Sequence, residues 1–432
     1  MWKFNAKTHY IAELKGLDEG EHVRLAGWVQ RKSELGGIVF IRMRDATGSV
    51  QVVLREENLS EQELIDARGA GIEASIIVEG SLRRDPRAPG GLEVIASKFI
   101  LVGNSKDFPI KPGVSEEFLL DNRHLQIRTT KMRNALMIRM EVMRATEEWF
   151  IKNGFVRVEA PTFVGAAVEG GATLFEVPYF GKKAYLTQSS QFYLEAAIFS
   201  FENVYTIQPS FRAEKSRTRR HLTEFWHAEA EMAWADLNGM MDVVESLVKY
   251  IVEKVVERAS DKLEALGRKI EAIEGRFPRI TYDEALELAK RKGAEIEWGE
   301  DFGTEVERLI SLEFDLPVFV THYPKKAKAF YHKQDPKRPE VVLCADLLAP
   351  EGIGEIVGGG QRIESEDELI SRIVEEGLDP EDYKWYLDLR RYGSVPHSGF
   401  GLGIERTIRW IAGLPHIRDA IPFPRTPVRL YP

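Results

Sequence analysis

Between Gln208 and Trp234 the chain reads QPSFRAEKSRTRRHLTEFWHAEAEMAW. Lys215, Arg217, Arg219 and Arg220 stand together with His221, and carboxylates flank them: Glu214 and Glu224 nearby, Glu229 and Glu231 further on. Arginine forks onto phosphate oxygens. A basic loop framed by acids and aromatics therefore suits a polyanion that carries a planar, hydrogen-bonding group, and a nucleoside triphosphate has that chemistry. Taken alone, such a charge run is a solvated hairpin tip. Two Gly-rich stretches add weight to the chemical reading. In EGIGEIVGGGQRIE a carboxylate, Glu355, precedes three glycines and Arg362, and glycine permits close backbone approach. In SGFGLGIERTIRW a strand-like run feeds a helix with Arg406 in its first turns, the arrangement of an anion site at a helix N-terminus.

These groups need elements to hold them. Strand signals at EHVRLAGWV, IVFIRMRDATGSVQVVL, ASIIVEGSLRR and GLEVIASKFILVG, with a helix opening on the capping pair Ser60 and Glu63, predict five strands with a helix between the third and fourth. That is the pattern of an OB barrel, which binds single-stranded nucleic acid on aromatic platforms. Phe40 and Trp28 are the candidate platforms, or else they fill the barrel. Residues 106–131, with Pro109, Pro112 and Gly113, read as a hinge. From Met132 to Asn153 the spacing predicts a helix that stops at Gly154. Residues 236–315 read as a helical accessory layer without chemistry. HAEAEM is rich in helix formers, which leaves its state open. If it is a strand, Glu229 and Glu231 share a face.

Composition narrows the class. The 432 residues carry a net charge of −9, and residues 1–105 hold 14 basic against 15 acidic side chains, so no bulk basic surface drives nucleic-acid binding. No apolar run is long enough for a membrane span and the first residues are no signal peptide. The single cysteine, Cys344, excludes an intrachain disulfide or a cysteine-built zinc cluster and fits a reducing cytoplasm.

Three segments stand in order: EEWFIKNGFVRVEAP, then FRAE…RHLTEF, then GFGLGIER. Together they resemble the three signature motifs of the class II aminoacyl-tRNA synthetases, in the compact archaeal-type form of the aspartyl/asparaginyl/lysyl subgroup. The resemblance covers nearly the whole chain. It implies an α+β protein: an N-terminal OB-fold over residues 1–105 that reads the anticodon, and a catalytic domain over 132–432 with an antiparallel sheet flanked by helices. HAEAEMAW then becomes a strand. The implied chemistry is attack of an amino-acid carboxylate on the α-phosphorus of ATP, followed by transfer to tRNA. By similarity, Arg212 holds the α-phosphate and the substrate carboxylate, Glu214 and Phe225 take the adenine, and Arg220 and His221 meet the outer phosphates. Arg406 faces Phe225 across the adenine and contacts the γ-phosphate. Glu355, with Asp346 as second candidate, ligates Mg²⁺. Glu169 and Gln191 hold the substrate ammonium. In the barrel, Phe40 stacks on an anticodon base while Gln51 and Glu93 read base edges. A homodimer is implied through the first motif.

The amino acid is read from two departures. Aspartyl members usually show QxxKE where this chain has Gln191–Phe192–Tyr193–Leu194–Glu195, so Leu194 replaces a lysine while Arg362 is kept. Glu229 stands where those members usually carry aspartate. Losing a cation favours a neutral amide over an acid, and a carboxylate near the pocket accepts from an amide NH₂ and repels an acid. Both changes point to L-asparagine and tRNA(Asn); the alternatives are an aspartyl activity, strict or non-discriminating, and a catalytically inactive synthetase-like nucleic-acid-binding protein. Gly358 stands where aspartyl members often place a metal-binding serine, which leaves the number of magnesium ions open.

Overall fold

The computed structural model describes residues 1–165, 173–215 and 220–432. The chain divides into two compact units, Met1–Glu116 and Glu117–Pro432.

The first unit is a closed barrel in the order β1-β2-β3-β5-β4. Its strands are β1 (His22–Leu35), β2 (Ile38–Arg44), β3 (Ser49–Leu54), β4 (Ser75–Arg84) and β5 (Leu92–Gly103), with α1 (Glu61–Gly69) between β3 and β4. Alternating residues such as Val39, Ile41 and Met43 are fully buried inside it, as period-two strands require. The predicted capping box is present: Ser60 accepts from the Glu63 N–H and Glu63 accepts from the Ser60 N–H.

The stretch expected to be a hinge is helical from Glu116 onward. It contains α2 (Glu116–Asp121) and α3 (Arg123–Gln126). Arg123 is buried and donates to the carbonyls of Arg418, Ile421 and Pro422, so this segment is part of the second unit's fold. The hinge reading saw only prolines and polar residues; it could not see carbonyls almost 300 residues away.

The second unit continues with α4 (Thr130–Lys152), β6 (Val156–Arg157), and the short strands β7 (Phe163–Val164), β8 (Glu176–Tyr179) and β9 (Lys182–Leu186). Next come α5 (Gln191–Phe201), β10 (Asn203–Phe211), β11 (Glu224–Ala233), α6 (Leu237–Ala265), β12 (Arg279–Thr281), α7 (Tyr282–Arg291), α8 (Thr304–Ser311) and β13 (Val318–Thr321). The chain ends through β14 (Gln334–Asp335), β15 (Arg338–Val342), β16 (Cys344–Ala349), β17 (Gly354–Gln361), α9 (Glu366–Glu375), α10 (Lys384–Arg391), β18 (His397–Gly403) and α11 (Ile404–Ile411). Eight strands form one sheet in the order β12-β13-β16-β17-β18-β11-β10-β6. Its six central strands are antiparallel, as expected, but the edge pairs β12–β13 and β10–β6 are parallel. HAEAEM lies in β11 because both of its neighbours, β10 and β18, hydrogen-bond to it along its length; the sheet overrides local helix propensity.

Helices α4 and α6 share a core with the sheet. Phe150 stacks on Tyr205, with ring centroids 4.4 Å apart. Val244, Leu247, Val248, Ile251 and Val255 of α6 are fully buried, so the first third of the expected accessory layer is central packing.

Candidate active site

Arg212 and Glu214 follow the end of β10, while His221 and Phe225 lead into β11 and lie along it. The antiparallel β10–β11 register, with Phe211 opposite Glu224, brings the two sides of the basic loop together. The loop then meets β17, which carries Glu355, and the turn from β18 into α11, which carries Arg406. Arg212, Glu214, Arg220, His221, Phe225, Glu355 and Arg406 line one cleft. Arg217 and Arg219 lie outside the described residues.

Charges in this cleft are arranged in pairs. Arg406 Nη1 donates to Glu355 Oε2 at 2.9 Å and to the Glu355 carbonyl at 3.2 Å. Burial alone would push the Glu355 carboxyl up, but Arg406, Lys328, Arg220 and Arg212 outweigh it and hold the carboxyl down at about 2. The Arg212 guanidinium sits 5.5 Å from the Phe225 ring centre, a cation–π distance. Burial drives the His221 imidazole down to about 4, with Arg406 adding to it, and the His227 imidazole to about 3, with Arg212 adding. Both rings are therefore neutral near pH 7. They let the cleft hold cationic guanidinium groups without further like charge.

A second cleft adjoins the first. It is lined by Ser189, Gln191, Glu229, Glu231, Asp346, Arg362 and others. Arg212, His227, Glu355 and Gly401 line both clefts. In the second, Arg362 Nη2 donates to Glu231 Oε1 at 2.5 Å, and its Nε lies 4.0 Å from Glu195. Burial works against the Arg362 charge, yet Glu231 and Glu195 raise its affinity for the proton further. Glu195 is itself held by Arg390 at 2.6 Å, His397 at 3.0 Å and the Tyr386 hydroxyl at 2.8 Å. Gln191 donates to Glu195 at 2.9 Å. Glu229 accepts from the Ser189 hydroxyl and from the Ser190 N–H at 2.8 Å. Its carboxylate thus braces the turn before α5 as well as lining the cleft. Glu229 and Glu231 do share a face, as their spacing in a strand demands. Leu194 does not line the cleft; it is fully buried in an apolar cluster with Ile198 and Val204. Glu169 lies outside the described residues.

For a divalent cation, the observation that matters is at Gly358. A side-chain carbon there would lie 3.3 Å from Glu355 Oε1 and 3.4 Å from Asp346 Oδ1. The two carboxylates therefore converge on one point of the sheet. Lys328 Nζ, 2.6 Å from Asp346 Oδ2, neutralises the second acid. Asp346 and Asp301 keep this buried ammonium protonated although burial opposes it. Among the described residues no group of three or more His, Cys, Asp or Glu side chains is placed to hold a metal. Two carboxylate oxygens fit Mg²⁺, which keeps several waters and takes substrate phosphates as its remaining ligands.

In the barrel, Phe40 and Gln51 line one groove with Gln30, Arg31, Ser33, Arg42 and Pro89. Phe40 is half-buried and does not fill the interior. Trp28 is 41% exposed, with the Arg44 guanidinium 5.2 Å from its ring. Glu93 is buried beneath the groove. It accepts from Gln51 Nε2 at 2.9 Å and from Arg83 Nε at 2.7 Å, so it orients Gln51 as well as offering a carboxylate.

Several site residues carry no signal in the sequence. Lys328 sits in an ordinary basic stretch, His227 among strand residues, and Glu307 (on α8, bonded to Arg220) in a charged helical stretch that reads as an accessory layer. Only Glu231, through its two-residue spacing from Glu229, was within reach of pattern reasoning.

Residues 115–427 match the family of class II tRNA synthetases (D, K and N), and residues 23–102 match the OB-fold nucleic acid binding domain. The chain is 53% identical to the asparagine–tRNA ligase of Thermococcus gammatolerans, across 98% of this chain and 99% of that one. Its fold superposes on the crystal structure of asparaginyl-tRNA synthetase from Pyrococcus horikoshii complexed with asparaginyl-adenylate with a TM-score of 0.96, at 50% identity over 99% of this chain and all of that one. The asparaginyl-tRNA synthetase of Entamoeba histolytica, also in complex with asparaginyl-adenylate, is similar at a TM-score of 0.90 and 33% identity, over 97% of this chain and 98% of that one.

Proposed function

The chain belongs to the class II tRNA synthetases of the aspartate, lysine and asparagine group, and from that membership we propose that it ligates L-asparagine to tRNA(Asn), consuming ATP and releasing pyrophosphate and AMP. The observation that carries the reading is the wall shared by the two clefts: Arg212, His227, Glu355 and Gly401 line both. A nucleotide in the first cleft and an amino acid in the second meet at Arg212. The asparagine carboxylate attacks the α-phosphorus there, and pyrophosphate leaves. The nucleophile is already ionised, so positioning and charge neutralisation do the catalysis. Arg212 bridges the substrate carboxylate and the α-phosphate, Glu214 accepts from the adenine amino group, and Phe225 stacks on the ring. Arg220, His221 and Arg406 take the outer phosphates; His221, being neutral, contributes a hydrogen bond and no charge. Mg²⁺ held by Glu355 and Asp346 would draw charge from the phosphate oxygens. The 3′-hydroxyl of the terminal adenosine of tRNA then attacks the carbonyl of the adenylate, and AMP leaves.

The choice of asparagine is supported by Arg362. Its charge is already matched by Glu231 and Glu195, so Arg362 offers an aspartate side chain no unshared cation. Gln191 and Glu229 line the same cleft, and Glu169 is assigned to the substrate ammonium with Gln191. Phe40, Gln51 and Glu93 are assigned to the anticodon. The protein is a cytoplasmic homodimer in this reading. Support comes from Met137, Met140 and Ile151, which α4 leaves exposed, and from the single, buried thiol of Cys344. Among the described residues no helix is long and apolar enough to cross a membrane. Mass in solution tests the dimer.

Pyrophosphate exchange with each amino acid tests the activity. Exchange is expected with asparagine, ATP and Mg²⁺, and little with aspartate. Equal or greater exchange with aspartate overturns the amino-acid assignment. Arg212→Ala is expected to abolish exchange, and an active variant removes Arg212 from the reaction centre.

A further inference from the structure

Glu307 lies on α8, in the stretch where the sequence offers no chemistry. Its side chain is buried, with only 8% of the residue exposed. One oxygen, Oε2, accepts two hydrogen bonds: from Arg220 Nη2 at 2.5 Å and from the Glu355 backbone N–H at 2.6 Å. Gly354, at φ +82°, makes the meeting possible. A side-chain carbon there would fall 2.6 Å from that oxygen and 2.8 Å from Arg220 Nη1. Three distant segments therefore converge on a single carboxylate: the end of the basic loop, the start of β17 and α8.

Arg220 is 5% exposed. A guanidinium that deep needs a counter-charge, and its planar fork presents donors only in the directions its partner allows. Arg220 and Glu355 line the same cleft. Glu307 tethers both, one by its side chain and the other by its backbone.

We propose that Glu307 is a positioning residue for the triphosphate: its carboxylate clamps Arg220 against the Gly354–Glu355 backbone and so sets where that guanidinium meets the phosphates of ATP. The proposal rests on the reading of Arg220 as a phosphate contact. Glu307 touches no substrate and acts through Arg220. The segment between β11 and β13 thereby takes part in nucleotide binding.

The test is asparagine-dependent pyrophosphate exchange in the full-length protein, with KM for ATP and for asparagine measured separately, alongside thermal unfolding. Glu307→Ala is expected to raise the ATP KM tenfold or more and to leave the asparagine KM within twofold. Glu307→Gln should recover part of the loss, because both bonds land on one oxygen that an amide retains although the counter-charge is gone. Arg220→Ala should raise the ATP KM, and Arg220→Ala combined with Glu307→Ala should be no worse than Arg220→Ala alone. The double variant also removes the unpaired buried charge that each single variant creates, so it separates misfolding from lost positioning. An unchanged ATP KM in Glu307→Ala beside a defective Arg220→Ala overturns the proposal alone. So does an equal rise in both KM values, a Glu307→Gln variant as poor as Glu307→Ala, or additive losses in the double variant. An unchanged ATP KM in Arg220→Ala overturns the assignment of Arg220 and the proposal together.

Discussion

Arg362 shows how one side chain can be present and yet change its meaning. Its guanidinium is bonded to Glu231 through both Nη2, at 2.5 Å, and Nε, at 3.3 Å. A substrate carboxylate arriving there would face Glu231 and Glu195 as well as the cation, and like charges in a buried site are costly. An amide meets no such penalty and can both donate and accept. Removing the counter-charge should therefore relax the choice. In Glu231→Gln the ratio of aspartate-dependent to asparagine-dependent exchange is expected to rise at least tenfold, which corresponds to about 1.4 kcal/mol. A ratio unchanged within a factor of two would remove Glu231 from discrimination. Leu194, by contrast, reads in sequence as a replaced pocket lysine but is packed with Ile198 and Val204. Val204 is the β10 partner of Glu231 and shares its face of the sheet, so Leu194 packs beside the pocket on that face without lining it.

At the scale of elements, the Gly-rich strands β17 and β18 exist to bring side chains from neighbouring strands close together. A side-chain carbon at Gly399 would lie 2.0 Å from the Glu231 carboxylate, and one at Gly360 would lie 2.6 Å from His332 Nδ1 and 2.7 Å from the Leu343 carbonyl. Strand β18 must be bare where Glu231 crosses it, and β17 where His332 and the Leu343 carbonyl approach it. Gly399→Ala is expected to break the Glu231–Arg362 pair and to raise the asparagine KM tenfold or more, with a much smaller change in the ATP KM. Equal effects on both would show a general loss of the sheet. Helix α11 performs the complementary task. Glu405 in its first turn binds Arg139 of α4 at 2.6 Å and the Trp226 N–H of β11 at 2.9 Å. One buried carboxylate thus ties together an element from each of the three sequence motifs, and pairing with Arg139 is what makes its burial tolerable.

For the whole molecule, the neutral buried histidines set the response to acid. The folded His227 titrates near 3 because burial excludes its charged form, whereas an unfolded histidine titrates near 6.5. As pH falls below about 6.5 the unfolded chain takes up the proton first. The stability this group permits is intact above that pH and declines steadily towards pH 3. His221 and His322 shift in the same direction, also chiefly through burial. Urea unfolding at pH 6.5 and pH 5 checks this. His227→Asn should lose less stability than the parent over that window, by about 1–2 kcal/mol at roughly 1.4 kcal/mol per pH unit. Equal losses would show that His227 is solvated or protonated in the fold.

What was legible in the chain by itself follows from local rules. Period-two burial and turn residues specified the five barrel strands and α1, the capping pair at Ser60 and Glu63 set a helix start, and the order of the three motifs identified the catalytic fold. That Arg212, Glu214, Arg220, Phe225, Glu355 and Arg406 belong together was legible through the resemblance to the family's three motifs, and they do line one cleft. Tertiary structure decided what depends on contacts between distant segments. It turned HAEAEM into a strand through the ladders of β10 and β18, and drew residues 117–131 into the catalytic unit through carbonyls near the C-terminus. It also placed Lys328 on Asp346, Glu231 on Arg362 and Glu307 on Arg220. A buried ion pair is a relation between two positions, and the energy that makes it stable arises only once the chain has excluded water from both. No residue type announces that in advance.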